Sequence, residues 1–306
     1  VDISIVIVNW NTRELLLRCL SSVFSTIQKL RFEVFVVDNA SSDGSVSAVR
    51  EKFPLVKVIE NRRNLGFAAA NNIALKTMKG RYAMLLNSDA LLTPGAADEL
   101  YCFMERTPKA AFACGQLLND DGSLQNSVAS FPSLLTLLVN ETVLGLFFPK
   151  KFHRKRGTYK EPSRVDSCIG ACMMVRKTAM DEVGLFDEGY FFFFEETDWA
   201  LRMKKTGWEI YFVPSARIFH SQGKSAGHGL SSRIMFYTSR YRYFKKWYPK
   251  SYRFFFAVVF IRLVINICLC AAGVALTLGC NRSLRARLSR YLGIMAWHLN
   301  GCPCRE

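Results

Sequence analysis

Through its first hundred residues the chain alternates short unbroken apolar runs with stretches that are apolar on one face only. SIVIV (4–8) is a continuous β-rich run and predicts a buried parallel strand. Leu16, Cys19, Leu20, Val23 and Phe24 then recur at helical spacing. EVFVVDN (33–39) predicts a second strand, and the polar turn ASSDGS leads into a second helix. VKVIEN (56–61) is a third strand; GFAAANNIALKTM (66–78) is helical, with Phe67, Ala70, Ala74 and Met78 on one stripe. YAMLLNSD (82–89) is a fourth strand, and Pro94 starts a further helix. Strands and helices alternating at this spacing predict a doubly wound α/β sheet, which binds ligands at the carboxyl ends of its strands.

The pattern changes in the second half. FPSLLTLLVNETVLGLFF (131–148) reads as helix and SCIGACMMVRK (167–177) as one strand. WALRMKKTG is a short helix ending at Gly207. EIYFV (209–213) and ARIFH (216–220) are two strands, and SQGKSAGHGLSS (221–232) is a flexible loop.

Polar residues collect where the predicted strands end: Asn9, Trp10 and Asn11; Asp38 and Asn39; Asn61 to Asn64; Asn87, Ser88 and Asp89. No GxGxxG follows the first strand, and GKS (223–225) lacks the upstream glycine of a Walker motif. Asp38 reads either as a turn former or as an acceptor for a pyrimidine imide or ribose hydroxyl. Asp89 reads either as a turn residue or as a ligand for Mg²⁺ or Mn²⁺. His220, at the end of a later strand, would complement it, because imidazole with carboxylate suits Mn²⁺. In YFFFFEETDW (190–199) an aromatic run meets Glu195, Glu196 and Asp198. These acids either favour the first turn of a helix or include a base held on an apolar floor. Trp199 reads equally as an acceptor platform or as a core residue.

Charge separates the tail from the body. The net charge is +16, yet residues 1–209 hold 26 basic against 24 acidic side chains, and 210–305 hold fifteen basic and no acidic ones. Ten cysteines include no CxxC pair and no secreted disulfide framework, which points to a reducing cytosol. The opening ISIVIV is too short for a signal-peptide core. Ile234, Tyr237, Tyr241, Phe244 and Tyr248 form an aromatic stripe among basic residues, a composition that also fits nucleic acid. The apolar segment 254–279 favours a membrane instead, although Arg262 interrupts it. Four arginines (282, 285, 287 and 290) beyond it oppose full spanning, so an interfacial or re-entrant anchor is expected, with a buried helical hairpin as the alternative.

SIVIVNWN, VVDNASSDGS, NRRNLGFAAANN, LLNSDA, GACMMVRK, EETDWALRMKKTGW and VPSARIFH, in that order over residues 2–250, resemble the inverting family 2 glycosyltransferases of GT-A fold, in particular bacterial rhamnosyltransferase-like members. The resemblance implies a nucleotide-sugar-binding half (1–110), an acceptor-binding and catalytic half (111–232) and a membrane-associating helical tail (233–306). It implies that Asn9, Trp10 and Asp38 line the nucleoside pocket, with Asn64, Phe67, Asn71 and Ser88 near the nucleotide. Asn87, Ser88 and Asp89 fall on the family's DXD metal motif, with Asn87 in place of the first acid, which gives His220 more weight. Gly170, Ala171 and Trp199 would shape the acceptor side. Glu195 and Glu196 match the Glu-Asp pair whose second member is the general base; Glu196 is the choice, with Glu195 and Asp198 as alternatives. The implied reaction moves a sugar, L-rhamnose from dTDP-L-rhamnose or another dTDP- or UDP-sugar, to a lipid-linked glycan. It would occur at the cytoplasmic face of the bacterial inner membrane, with Mg²⁺ or Mn²⁺ and without nucleic acid. The departure at Asn87 also admits a catalytically silent GT-A-fold protein that docks at membranes.

Overall fold

A computed structural model describes residues 1–133, 136, 159–221 and 229–302. They fall in two compact units, the larger drawn from Val1–Phe131, Glu141–Phe191 and Glu195–Ser225, the smaller from Pro132–Asn140, Phe192–Phe194 and Ala226–Glu306. The helix expected over 131–148 and most of the loop 221–232 lie outside the described residues.

The larger unit begins β1 (Ile3–Asn9), α1 (Arg13–Thr26), β2 (Phe32–Asp38), α2 (Ser45–Lys52), β3 (Lys57–Glu60), α3 (Phe67–Leu75), β4 (Tyr82–Leu86), β5 (Ala90–Leu92) and α4 (Ala96–Arg106). It continues with β6 (Ala110–Leu118), β7 (Val128–Ala129), β8 (Ser163–Val165), β9 (Ser167–Cys168), β10 (Cys172–Arg176), α5 (Lys177–Val183), α6 (Glu195–Lys205) and β11 (Glu209–His220). Nine of the described strands form one sheet in the order β3-β2-β1-β4-β10-β6-β11-β5, with β8 also on β11. β3, β2, β1 and β4 are parallel, as expected. From β10 onward the sheet is mixed: β10 is antiparallel to β4 and β6, and β5 is antiparallel to β11.

Side-chain alternation along the strands builds two cores. Ile3, Ile5 and Ile7 of β1 face Leu16, Leu20 and Val23 of α1 and Leu100 and Met104 of α4. Val6 of the same strand faces Ala70 and Ala74 of α3 and Trp199 and Met203 of α6 on the other side.

Several expectations are corrected. SCIGACMMVRK is two strands, β9 and β10, parted by Ile169–Ala171. The two strands read around Pro214 are one, β11, whose pairing with β6 shifts register between Val213 and Arg217. A bulge at the proline accommodates its missing N–H without ending the strand. The helix read from Pro94 starts at Ala96, after Gly95 at φ +81°. The cysteines are not all free thiols: Cys114 of β6 and Cys168 of β9 form a disulfide, with Cα atoms 6.2 Å apart. One buried bridge is not the dense framework of a small secreted domain.

The smaller unit contains α7 (Leu230–Trp247), a 3₁₀ turn (Pro249–Ser251), α8 (Tyr252–Leu276) and α9 (Arg282–Leu299). Phe193 and Phe194 pack on Phe236 of α7, and Ser239 Oγ donates to Phe192 O at 2.7 Å. His298 sits among the rings of Tyr237, Tyr241, Phe256, Phe260 and Trp297. Its Nδ1 lies 2.8 Å from Ile294 O, which only accepts, so Nδ1 carries the proton and Nε2 accepts from Tyr241 Oη at 2.6 Å. Burial pushes the imidazole pKa below its ordinary 6.5. The unfolded chain therefore takes a proton at this residue first as pH falls. The stabilisation is complete above about pH 6.5 and shrinks as pH drops from there toward the folded value. Melting of the full chain between pH 7.5 and 5 should show an acid-side loss of stability that is smaller in His298→Gln; identical slopes would exclude His298 as its source.

Candidate active site

The carboxyl edge of β1, β2 and β4 carries a closed polar network. Asn9 Nδ2 donates to Asp38 Oδ1 at 2.8 Å and to Ser41 Oγ at 3.0 Å, and its Oδ1 accepts from Thr12 Oγ1 at 2.7 Å. The Thr12 and Ser88 hydroxyls are 2.8 Å apart, and Asp38 Oδ2 accepts from Ser41 N. Asn9, Asp38 and Ser88 are thus joined and buried. Trp10, beside them in sequence, is 50% exposed, leaving its ring face accessible to a base.

Asn39 organises the neighbouring loop, a role its sequence position did not reveal. Its Oδ1 accepts from Asn61 Nδ2 and Leu65 N, and its Nδ2 donates to Gly66 O. Asn64 Oδ1 accepts from Gly66 N and Asn71 Nδ2 donates to Phe67 O, so both side chains brace the start of α3. Phe67 N donates to Phe191 O at 2.7 Å, while its ring meets Phe186 edge-on. Gly66 makes this approach possible: at φ +82°, a Cβ there would lie 2.4 Å from Phe191 O. Gly95 has nearly the same φ but open space around it. Gly66→Ala should therefore cost about 2 kcal/mol or more in urea unfolding, against about 1 kcal/mol for Gly95→Ala, where only backbone strain acts. Equal losses would show that the Phe191 contact yields without cost.

The DXD-position residues lie between two other elements. Asn87 N donates to Ala171 O at 2.9 Å, and Ser221 N donates to Asp89 O at 3.0 Å. β5 pairs with the end of β11, Ala90 opposite His220. This register brings His220 Nε2 to 3.4 Å from Asp89 Oδ1, both side chains being buried. Gln125 fixes the ring: its Oε1 is 2.7 Å from His220 Nδ1, and its Nε2 donates to His220 O at 3.0 Å and to Asn119 Oδ1 at 2.9 Å. An amide oxygen only accepts, so Nδ1 carries a proton, and in a neutral ring the Nε2 lone pair faces the Asp89 carboxylate. Two electron-pair donors converging in this way fit a shared divalent cation. No group of three or more His, Cys, Asp or Glu side chains is gathered for a metal among the described residues.

The three acids at the start of α6 separate clearly. Asp198 is fully buried, bonded to Arg202 Nε at 3.0 Å and to Tyr190 Oη at 3.3 Å. That pairing ties Asp198 to Arg202 one turn along α6 and to Tyr190 before it. Trp199 is wholly buried, donates Nε1–H to Gly184 O at 2.7 Å and packs on Phe186, as the core reading of this residue has it. Within the aromatic run Phe193 and Phe194 are engaged with α7, whereas Phe191 is exposed.

Glu195 and Glu196 remain. A helix N-terminus stabilises carboxylates, but burial here outweighs it. Burial pushes Glu196 up to about 7. Burial, with the Glu196 charge added, pushes Glu195 well above the ordinary range. Glu195 Oε2 is buried with no hydrogen-bond partner among the described residues. Glu196 is partly exposed, and Gly170 abuts it: a Cβ on that glycine would sit 3.8 Å from Glu196 Cγ. That is ordinary van der Waals contact with the stem of Glu196, and Ala171 next to the glycine is buried. A partly accessible carboxylate with a pKa near neutrality, beside a polar strand-end network and an Asp–His pair, suits group transfer to a hydroxyl.

The model of the family "Glycosyl transferase family 2" matches residues 4–184. The chain belongs to glycosyl transferase family 2. This transferase is 33% identical over 220 residues to N-acetylglucosaminyl-diphospho-decaprenol L-rhamnosyltransferase of Mycobacterium tuberculosis, covering 66% of this chain and 70% of that protein. It is 31% identical over 166 residues to rhamnosyltransferase WbbL of Escherichia coli K12, covering 51% of this chain and 60% of that one. A crystal structure of GalNAc-T7 with UDP, GalNAc and Mn²⁺ aligns with TM-score 0.56 at 19% identity, over 76% of this chain and 47% of its own. At that identity the likeness shows the fold, a GT-A-like sheet flanked by helices. The transferase is thus related to rhamnosyltransferases, one of which is named for a lipid-linked acceptor.

Proposed function

We propose that this transferase moves L-rhamnose from dTDP-L-rhamnose to a lipid-linked glycan, with inversion at the anomeric carbon. The observation that carries the reading is Glu196: a partly exposed carboxylate at the first turn of α6, beside Gly170 and pushed up to about 7. The acceptor hydroxyl gives its proton to Glu196 Oε as its oxygen bonds to the anomeric carbon. The bond from that carbon to the donor's diphosphate breaks on the opposite face, and the nucleoside diphosphate leaves with the electron pair. Asn9, Asp38 and Trp10 are assigned to the nucleoside, with Asn64, Phe67, Asn71 and Ser88 around the nucleotide. Gly170 and Ala171 are assigned to the acceptor side.

Asp89 and His220 would hold Mg²⁺ or Mn²⁺, with Asn87 beside them. A bound divalent cation supplies charge stabilisation to a departing diphosphate. The donor and acceptor assignments are supported by the relation to the decaprenol-linked L-rhamnosyltransferase. The location proposed is the cytoplasmic face of the bacterial inner membrane. Pro249–Leu276 is long and apolar enough, by length and composition, to engage a bilayer.

Thermal shift with dTDP, UDP, GDP and CDP, each with and without Mn²⁺ or Mg²⁺, tests the donor side. A ligand at about a hundred times its Kd stabilises the fold by about 2.7 kcal/mol. Stabilisation by dTDP that requires metal is expected. A metal-dependent shift with UDP alone would reassign the donor, and no shift on folded protein would reject the nucleotide-sugar reading. The anomeric configuration of the product, read by NMR, tests inversion.

A further inference from the structure

The two last helices form an antiparallel hairpin whose outer half is unlike the rest of the smaller unit. Near its turn, Leu284 of α9 closes on Gly273 of α8, where a Cβ would lie 3.1 Å from Leu284 Cδ1. At its open end His298 of α9 lies against Phe256 and Phe260 of α8. The second helix therefore runs back along most of the first. α7 packs on the open end, with Phe244 stacked on Phe255 at 3.8 Å and Leu230 against Gly293. The buried residues of α8 are Phe255, Val259 and Leu263, all in that half.

Past Leu263 the apolar side chains turn outward: Ile265, Leu269 and Leu276 are exposed, the last at 86%. Alongside them α9 presents Arg282, Arg285 and Arg287 exposed and Arg290 partly so. No acidic residue occurs between 210 and 305, so the sequence provides no carboxylate nearby to neutralise them. One arm of the projecting hairpin is thus apolar and the other basic.

At about 1.5 Å per residue, the 25 residues of α8 are long enough to cross a bilayer. Its partner decides otherwise. α8 runs unbroken through Arg262, so the chain does not turn back within 254–279; α9 provides the return. A hairpin driven into hydrocarbon would carry the α9 arginines with it, and uncompensated arginines there are strongly disfavoured. Lying in the interface, the same hairpin satisfies both arms.

We propose that the α8–α9 hairpin is an in-plane anchor for an anionic bilayer. The outward face of α8 enters the acyl boundary, and Arg282, Arg285, Arg287 and Arg290 bind lipid phosphates. This deepens the membrane part of the proposed function and rests on it, but it needs no donor, acceptor or turnover.

The full chain, without nucleotide or metal, is sedimented with vesicles of phosphatidylcholine alone or with about 30% phosphatidylglycerol. Binding on the order of 100-fold tighter to the anionic vesicles is expected, lost in R282Q/R285Q/R287Q/R290Q and weakened by high salt. Ile265→Glu with Leu269→Glu should lose binding to both vesicle types. These side chains are exposed, so unchanged melting verifies the fold of each variant. Cys280, exposed at the hairpin turn, should react with an impermeant thiol reagent added outside sealed vesicles, read at that site by mass spectrometry. Labelling of Cys280 only from the lumen would overturn the in-plane geometry in favour of a span. Equal binding to both vesicle types would overturn the role of the arginines, and binding to neither would overturn the anchor. A dTDP-dependent melting shift retained in the arginine variant would separate any of these failures from failure of the transferase reading.

Discussion

Glu196→Gln is expected to lower kcat by about 10²–10⁴-fold while leaving the Kd for donor nucleotide nearly unchanged. Glutamine keeps the volume and part of the hydrogen bonding but cannot take a proton at neutral pH. The measurement is a pair: turnover with donor and lipid-linked acceptor, and donor affinity by calorimetry. Loss of both together would make Glu196 a binding residue instead. The active form is the carboxylate, and burial pushes its pKa up to about 7. The wild-type rate should therefore rise with pH through neutrality and level off above it, and the residual rate of the variant should lack that rise.

Glu195 provides the internal control. It is the more buried of the two, and burial with the Glu196 charge pushes it well above the ordinary range, toward the neutral acid form. Glu195→Gln mimics that neutral form and should retain far more activity than Glu196→Gln. The reverse ranking would transfer the role of base to Glu195. Asp198 differs from both, because its two oxygens are engaged by Arg202 and Tyr190.

The sequence made the first half of the sheet readable because each strand is a continuous apolar run that ends in polar residues. Asn9, Asp38 and Asp89 stand at those ends, and the register of parallel strands aligns such ends along one edge. The second half was harder for identifiable reasons. AAFACGQLL (110–118) is built from small residues and carries no strong β signal, yet as β6 it lies buried in the middle of the mixed part of the sheet. Pro214 suggested a break that a register shift absorbs. Trp199, next to acids, read equally as acceptor platform or core residue, and the helical stripe it shares with Ala200 and Met203 is the buried face of α6. The resemblance named most candidate side chains, but not the groups that hold them. Asn39 looked like one more turn residue, and its partners Asn61, Leu65 and Gly66 lie more than twenty positions on. Cys114 and Cys168 are 54 residues apart, with no local spacing to announce the bond.

Gln125 is the least legible of these and leads to the second large expected effect. It lies in a polar loop, NDDGSLQNS, 95 residues from the histidine it orients. Asp89→Ala removes the carboxylate itself and should abolish measurable Mn²⁺ affinity in the presence of dTDP, a loss of about 10²-fold or more. Gln125→Leu leaves Asp89 and His220 in place but removes the acceptor that holds the proton on Nδ1. Partners of this kind contribute about 10–100-fold to metal affinity, so Gln125→Leu should fall in that range. Gln125→Glu retains an acceptor at the same reach and should recover most of the loss. Electron paramagnetic resonance of free Mn²⁺ gives each affinity without requiring turnover. A Gln125→Leu protein that melts normally and binds Mn²⁺ like wild type would make the Gln125 contact purely structural, and unchanged affinity in Asp89→Ala would remove that carboxylate from the metal site. If the ranking Asp89→Ala, Gln125→Leu, Gln125→Glu holds, a site with Asn87 where the family's first acid stands still retains its cation. The Nε2 lone pair that Gln125 orients on His220 would then supply a neutral ligand where the first acid is missing.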